Sequence, residues 1–385
     1  MRVVAKLAVV AMFVALLAVP KSSASPRSVP MQAVAAVLMD VGSGEVLQSR
    51  NMHKRQPIAS LTKIMTALLA AESGKLDAVV VVPPCAVLVS PLNIWLSPGE
   101  NITLRNLVYG LLLRSGNDAA VAIAHFLAGG VPAFAAKMNE RAKELGAINS
   151  NFVNPHGLPH DDHFSTAYDI GLITRALLGN AFLRQVVSTA RYRVPWAGRT
   201  YDRIWHNTNR LRQLMPGADG VKTGWTRAAG RCLAASATRQ GWQLLAIVLN
   251  SPDRYGETRA LLEWGFANYQ RVVVVERGLY LGSVRVLRGD PPSVGAVAAR
   301  ELAWVAPQGR SLDVAKSVLL PQYVRAPVSP GSVIGTLCVS IEKREVARVP
   351  LLADQGAVHT SWWWRLRHLA QQYVRFLDYP LRWST

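Results

Sequence analysis

The sequence predicts a mixed α/β (α+β) fold, in which an antiparallel sheet with an inserted helical region is flanked by helices. Strand-like runs at residues 33–40 and 45–47 are joined by a Gly-Ser-Gly sequence, which is typical of a hairpin turn. Apolar helices follow, and three further strand-like runs come late, at 220–226, 232–238 and 242–250. An early strand pair, late strands and intervening helices indicate helices packed on one antiparallel sheet.

The helices between the two sets of strands are predicted from apolar residues that recur at spacings of three and four. This periodicity predicts helices at 60–72 and 104–113, two more within 121–145 that are split at Gly129-Gly130, and an amphipathic helix at 254–266. The last of these closes the first domain, which we place at residues 31–270.

After residue 269 the sequence is typical of a small all-β domain. Short valine-rich runs alternate with proline and glycine, at 272–275, 283–287, 333–340 and 345–351. Because this stretch holds no cluster of polar residues with an evident chemistry, we interpret residues 271–358 as a spacer or interaction domain.

Composition and charge limit the classes of function. Half of the 385 residues are apolar and 17% are charged, which excludes a largely disordered protein. Lys and Arg total 43 against 24 Asp and Glu, a net charge of +19 that predicts an anionic partner. The cysteines are odd in number and too widely spaced for a zinc cluster, so neither a disulfide framework nor a metal or cofactor is predicted (Cys85, Cys232 and Cys338).

The first residues predict that the protein is exported. Residues 1–24 combine a basic start, an apolar run at 7–19 and small residues before the end, the pattern of a secretory signal peptide. The alternative is an uncleaved anchor, but the apolar run is shorter than the ~20 residues that a membrane span requires. Export leaves phospholipid or envelope polymer, rather than nucleic acid, as the expected anionic partner.

The tail at residues 359–385 has the pattern of an interfacial helix. On a helical wheel its aromatic residues and leucines share one arc, opposite arginines, and it contains three consecutive tryptophans at 362–364. We expect a peripheral anchor on an anionic membrane surface. The alternative is a C-terminal helix that packs on the protein itself.

The first motif with chemical content is Ser60-Leu61-Thr62-Lys63, at the start of a predicted helix. Residues three apart share a helix face, so the lysine amine can reach the serine hydroxyl. A neutral amine can take the proton of a serine nucleophile, provided that burial or nearby positive charge lowers its pKa. Alone the pattern is weak, since Ser60 could simply cap the helix and Lys63 could be solvated.

Two further motifs follow along the chain, and each is weak by itself. Ser115-Gly116-Asn117 comes just after the helix at 104–113 and could be an ordinary turn. Lys222-Thr223-Gly224 lies on a predicted strand, where a cation and a hydroxyl could bind a carboxylate. Glycine there would let a substrate backbone approach the strand edge.

Together, and in this order, the three motifs are the signature set of penicillin-recognising serine enzymes. More narrowly, the sequence resembles the low-molecular-mass penicillin-binding proteins that act as serine D-alanyl-D-alanine carboxypeptidases. The stretches that carry the resemblance are 57–66, 111–120, 154–158 and 220–224. The similarity covers roughly residues 31–270, and the family's β-rich C-terminal domain and amphipathic anchor match the layout after residue 269.

This resemblance implies a reaction in which Ser60 attacks the carbonyl of a penultimate D-alanine of a peptidoglycan stem peptide. Lys63 would act as the base, and Ser115 with Lys222 would pass the proton to the leaving amine. The resulting acyl-enzyme would release the terminal D-alanine. β-Lactams would inhibit the enzyme by acylating the same serine.

The resemblance also implies substrate-binding roles. Asn117 would hold the substrate amide, and Lys222 and Thr223 would meet the terminal carboxylate. The backbone N–H groups of Ser60 and Trp225 would form the oxyanion hole. Arg254 is a further candidate for carboxylate binding, although a solvated charge at a helix start is as reasonable.

Several alternatives stay open at this point. The same fold could act as a D,D-endopeptidase or a weak β-lactamase, or a non-enzymatic protein could bind the envelope. Residues 145–222 contain no Glu, which argues against class A β-lactamase chemistry, where a Glu with a bound water deacylates the enzyme. His156 is a candidate base that we interpret as structural, since Ser60 already has Lys63.

Overall fold

The computed structural model describes residues 28–196 and 198–360. Its first nine strands are β1 (Ala35–Asp40), β2 (Val46–Arg50), β3 (Val79–Val81), β4 (Asn101–Thr103), β5 (Arg191–Val194), β6 (Arg203–His206), β7 (Ala218–Thr226), β8 (Gly230–Arg239) and β9 (Trp242–Leu249). The helices are α1 (Lys63–Glu72), α2 (Leu104–Leu113), α3 (Asn117–Ala128), α4 (Val131–Glu144), α5 (Ala167–Gly179), α6 (Ala181–Ser188), α7 (Leu211–Leu214) and α8 (Arg254–Asn268).

Five of these strands form one antiparallel sheet in the order β2-β1-β9-β8-β7. Every residue of β1 is buried, as expected for a strand covered on both faces. Alternate β1 side chains enter two different cores: Val37 belongs to the core that α1, α2, α3 and α5 share, and Leu38 belongs to the core that contains α8. The predicted fold class, an antiparallel sheet between helices, is confirmed.

Two predicted helices begin differently from the expected positions, and both differences bear on the site. The predicted helix at 60–72 starts as a 3-10 turn, Ala59–Thr62, and becomes α-helical at Lys63. The third helix starts at Asn117, four residues earlier than predicted, so the Ser-x-Asn motif lies at a helix start.

The sequence analysis gave no bounds for α5 and α6 and did not predict two small hairpins, β3–β4 and β5–β6. The helices carry their own start signals, because Thr166 caps α5 at the Asp169 amide and Asn180 caps α6 at the Leu183 amide. The hairpins have strands of only three or four residues, too short for an alternating pattern to stand out.

The β-rich C-terminal part consists of β10 (Tyr269–Val275), β11 (Tyr280–Leu287), β12 (Gly289–Asp290), β13 (Ser293–Ala298), β14 (Leu302–Pro307), β15 (Val314–Leu319), β16 (Tyr323–Arg325), β17 (Val333–Ile341), β18 (Arg344–Ala353) and β19 (Val358–His359). Six strands form a sheet in the order β15-β17-β18-β13-β11-β16, and β10 pairs with β14. This part has its own buried cluster, in which valines and leucines are frequent. The prediction that it is all-β is confirmed.

The predicted signal peptide at 1–24 and the predicted anchor, apart from residues 359–360, lie outside the described residues. Within 28–196 and 198–360, no single helix is both long and apolar enough to span a membrane. The pair α3 and α4 would reach that length together, but the two helices are bent by 84°.

Candidate active site

Three segments from distant parts of the sequence meet at one site: the 3-10 turn before α1, the loop between α2 and α3, and strand β7. The closest approach is at Gly224 of β7. A Cβ atom built there would lie 3.1 Å from the Ile58 carbonyl oxygen and 3.2 Å from the Ser60 nitrogen. The strand can pass this close to the backbone of Ser60 because residue 224 has no side chain.

Lys63 is the polar centre of the site. Its side chain is fully buried, and its Nζ lies 2.7 Å from Asn117 Oδ1, 2.7 Å from the His156 carbonyl oxygen and 3.1 Å from Ser60 Oγ. A neutral amine has two hydrogens and one lone pair. The two carbonyl-type oxygens can only accept, so they take both hydrogens and the lone pair is left for the Ser60 hydroxyl.

The surroundings favour this neutral form. Burial, followed by the positive charge of Lys222, holds the pKa of Lys63 well below its ordinary value of 10.5, while the Asp118 carboxylate opposes the shift. Lys63 therefore has the lowered pKa that a lysine needs in order to take the proton of a serine nucleophile.

Ser115 and Asn117 are placed by an unusual turn. Ser115 has a φ of +67°, and its buried hydroxyl makes no hydrogen bond within the described ranges. Asn117 is fixed at both ends, since its Oδ1 accepts from Lys63 and its backbone N–H donates to the Leu92 carbonyl at 2.7 Å. Sequence reasoning missed the next residue, Asp118, whose buried carboxylate accepts from the backbone N–H groups of residues 94, 96 and 119.

Lys222, a residue of β7, lies close to Arg254 at the start of α8. Lys222 is buried and donates to the Thr223 carbonyl at 2.9 Å, and Arg254 donates to the Gly224 carbonyl at 2.9 Å. Burial and the charge of Arg254 lower the pKa of Lys222 to about 7. When Lys222 is protonated, two cationic groups bonded to the backbone of one strand are placed to bind an anion.

Two other predicted residues lie at the edge of the site. The Thr223 hydroxyl is 3.4 Å from the hydroxyl of Thr208, a residue that sequence reasoning did not identify. The Trp225 side chain is 64% exposed, so any role in an oxyanion hole falls to its backbone.

His156 takes a structural position. Burial, with contributions from Lys63 and His163, lowers its pKa to about 3, and its Nδ1 accepts from the Leu158 amide at 3.2 Å. Its main contribution to the site is its carbonyl oxygen, which holds Lys63. A second histidine that sequence reasoning missed, His163, lies 2.7 Å from the Thr62 hydroxyl beneath the same turn.

The glycine after His156 is required by the site. Gly157 has a φ of +84°, and a Cβ atom there would lie 1.9 Å from the Ala59 carbonyl oxygen. We expect Gly157→Ala to push the turn that carries Ser60, to slow acylation by about 100-fold and to lower the free energy of unfolding by roughly 3 kcal/mol. Penicillin acylation kinetics and thermal unfolding measure both effects.

The matched control is Gly129→Ala. Gly129 has a similar φ of +76°, but among the described residues its surroundings leave a built Cβ without a neighbour within 4 Å, so this variant carries the backbone strain of about 1–2 kcal/mol without the clash. Equal losses of stability and activity in the two variants would show that the contact with Ala59 does not position Ser60.

Comparison with known proteins follows the same division of the chain. The family model described as D-alanyl-D-alanine carboxypeptidase matches residues 21–253, and the model described as penicillin-binding protein 5, C-terminal domain, matches residues 269–358. Among curated proteins, the chain is 33% identical over 334 residues to D-alanyl-D-alanine carboxypeptidase DacF of Bacillus subtilis, covering 84% of this chain and 85% of that protein.

A second curated relative is D-alanyl-D-alanine carboxypeptidase DacA of Escherichia coli, which is 32% identical over 343 residues, 83% of this chain and 82% of the relative. Among solved structures, penicillin binding protein 5 from Haemophilus influenzae superposes with a TM-score of 0.67 at 29% identity, covering 86% of this chain and 99% of that one. These similarities extend over both the sheet-and-helix part and the β-rich part.

Proposed function

Since this chain belongs to the D-alanyl-D-alanine carboxypeptidase family, we propose that it removes the terminal D-alanine from peptidoglycan stem peptides through an acyl-enzyme on Ser60. The observation that carries the proposal is the arrangement around Lys63. Two acceptor oxygens at 2.7 Å leave the lone pair of a buried amine for the Ser60 hydroxyl. The family predicted from the three motifs is confirmed.

In the proposed acylation step, Ser60 Oγ bonds to the carbonyl carbon of the penultimate D-alanine while its proton moves to Lys63. Backbone N–H groups of Ser60 and Trp225 stabilise the oxyanion that forms. When the intermediate collapses, the C–N bond breaks and the proton that Lys63 received passes through Ser115 and Lys222 to the leaving amine, which returns Lys63 to its neutral form. Water then hydrolyses the ester and frees Ser60.

The substrate carboxylate is the natural anion for the cationic side chains at β7. Lys222, Thr223 and Arg254 are the proposed partners, and the hydrogen bond from Arg254 to the Gly224 carbonyl keeps the guanidinium next to the motif. A bound carboxylate would favour the protonated form of Lys222. Asn117 is the proposed partner of the substrate amide, in addition to Lys63.

β-Lactams are proposed inhibitors of the same site, since their strained amide would acylate Ser60 in place of the peptide. Release of D-alanine from a peptide that ends in D-alanyl-D-alanine tests the activity. Incubation with cross-linked muropeptides and with penicillin, with products identified by mass, separates carboxypeptidase from endopeptidase and β-lactamase action. A non-enzymatic envelope protein would release no D-alanine and form no penicillin adduct.

We further propose export and peripheral attachment to an anionic membrane surface on the outer side of the cytoplasmic membrane. The support is the signal-like sequence at 1–24, the aromatic and basic tail at 359–385 and the excess of Lys and Arg. Full-length protein should sediment with vesicles containing phosphatidylglycerol. Protein that ends at residue 360 should bind them at least about 10-fold more weakly, and equal binding would disprove the anchor.

A further inference from the structure

An exposed tryptophan borders the active site on a loop that is bonded to the start of α3. Trp95 is 50% exposed. Three residues before it in the sequence, the Leu92 carbonyl accepts from the Asn117 amide. Directly after it, the Leu96 amide donates to the Asp118 carboxylate at 3.2 Å. The hydrogen-bonded path from Ser60 to this loop therefore crosses only Lys63 and Asn117.

The fold holds Trp95 in an unfavourable backbone conformation. Its φ is +59°, in the left-handed region that bulky side chains rarely adopt. The Trp95 carbonyl accepts a 2.8 Å hydrogen bond from Arg203, a buried arginine whose guanidinium also pairs with Glu100. Backbone strain that the surrounding structure maintains is frequent at ligand-binding positions.

The same arginine joins Trp95 to a second aromatic group. The Arg203 guanidinium lies 4.4 Å from the ring centre of Trp196, in the loop between β5 and β6. Tyr201, from the same loop, meets the Trp196 ring edge-on at 5.7 Å and is 57% exposed. We refer to Trp95, Trp196 and Tyr201 as the aromatic rim.

Arginines accompany this rim. The Arg114 guanidinium lies 5.2 Å from the ring centre of Trp95, and Arg199 lies 5.6 Å from that of Trp196. Arg114 directly precedes Ser115, and its buried Nε has no hydrogen-bond partner in the part of the chain that the structure describes. The surface next to the site thus combines flat aromatic side chains with two guanidinium groups.

Building on the proposed function, we propose that the aromatic rim binds the sugar to which the stem peptide is attached. A pyranose ring has an apolar face that stacks on Trp and Tyr, and the hydroxyl and amide oxygens of the sugar accept from arginine. About four stem residues separate the sugar from the scissile bond and extend at most about 14 Å, so a sugar subsite must adjoin the active site. Trp95 is joined to the site through Asn117 and Asp118, and Arg203 joins it to Trp196, which Tyr201 contacts.

The test compares one pentapeptide ending in D-alanyl-D-alanine, free and attached to its disaccharide, as substrates of the full-length protein. The measured quantity is the ratio of the two kcat/KM values for D-alanine release. We expect the wild type to favour the sugar-linked substrate by about five-fold or more, and the ratio to fall toward one in Trp196→Ala and in Tyr201→Ala. Tyr280→Ala, which truncates a tyrosine of similar exposure (59%) in the β-rich part, should keep the wild-type ratio.

A wild-type ratio of one, or an unchanged ratio in both rim variants, would overturn the sugar subsite. A second measurement does not depend on activity: ligand-observed NMR reports binding of the peptide-free disaccharide. Tyr201→Ala should weaken this binding, and Tyr280→Ala should not. The proposal therefore stays testable if one variant folds poorly or the enzyme proves inactive. Failure of the wild type to release D-alanine from either substrate would count against the proposed function. The disaccharide-binding measurement would still show whether the aromatic rim binds the sugar.

Discussion

Replacing the nucleophile, Ser60→Ala, should abolish both D-alanine release and the covalent penicillin adduct. We expect the turnover rate to fall by about 10⁶-fold, the scale seen when the nucleophile of a serine protease is removed. The hydroxyl has no substitute at its position, because the Ser115 hydroxyl lies on another segment and makes no hydrogen bond to Lys63 among the described residues. Intact-protein mass spectrometry after penicillin treatment measures the adduct directly.

Ser73→Ala is the matched control for this experiment. Ser73 follows the last residue of α1, and its hydroxyl donates to the Ala70 carbonyl, away from the site. This variant should acylate at the wild-type rate. A penicillin adduct in Ser60→Ala, mapped to any other residue, would mean that the nucleophile has been assigned wrongly.

Removing the base, Lys63→Met, should slow acylation by about 10²–10⁴-fold while leaving Ser60 in place. Methionine fills a similar volume but has no basic group that could take the serine proton, so only the small spontaneously ionised fraction of Ser60 can react. The acylation rate of the variant should therefore keep increasing with pH. It should do so even over the pH range in which the acylation rate of the wild type no longer changes. Stopped-flow kinetics with a chromogenic β-lactam measure this dependence.

The control for the loss of a lysine as such is Lys75→Met, at an exposed lysine beyond the end of α1. We expect wild-type kinetics from it. A Lys63→Met protein that retains the wild-type rate and pH dependence would remove Lys63 from the mechanism and would leave another group to be found.

The sequence was sufficient to predict the parts of the fold that carry regular periodicity. Helix α2 occupies the predicted residues, and the three late strands were located to within two residues at each end. Their signals are local, since apolar spacing and glycine turns can be recognised within a dozen residues. The hairpin of β5 and β6 has no such signal, although it carries two of the aromatic residues in the proposed sugar subsite.

The active site was predictable as a set of residues but not as a set of contacts. Ser60 and Lys63 are close in sequence, and their proximity follows from helical spacing. That the His156 carbonyl takes one of the amine hydrogens depends on a loop 93 residues away. The Lys-Thr-Gly motif points to glycine at 224, but only the structure shows that the backbone of Ser60 packs against β7 at this residue.

The central claim is that Lys63 carries no charge when Ser60 attacks, and titration of Lys63 itself tests this most directly. Lysine side chains labelled with ¹³C report protonation through their Cε shift, and the spectrum of Lys63→Met assigns the signal. Because burial and the Lys222 charge lower the pKa of Lys63, we predict an inflection well below 10.5 in the free wild-type protein. A Lys63 that titrates at or above 10.5 would contradict the account.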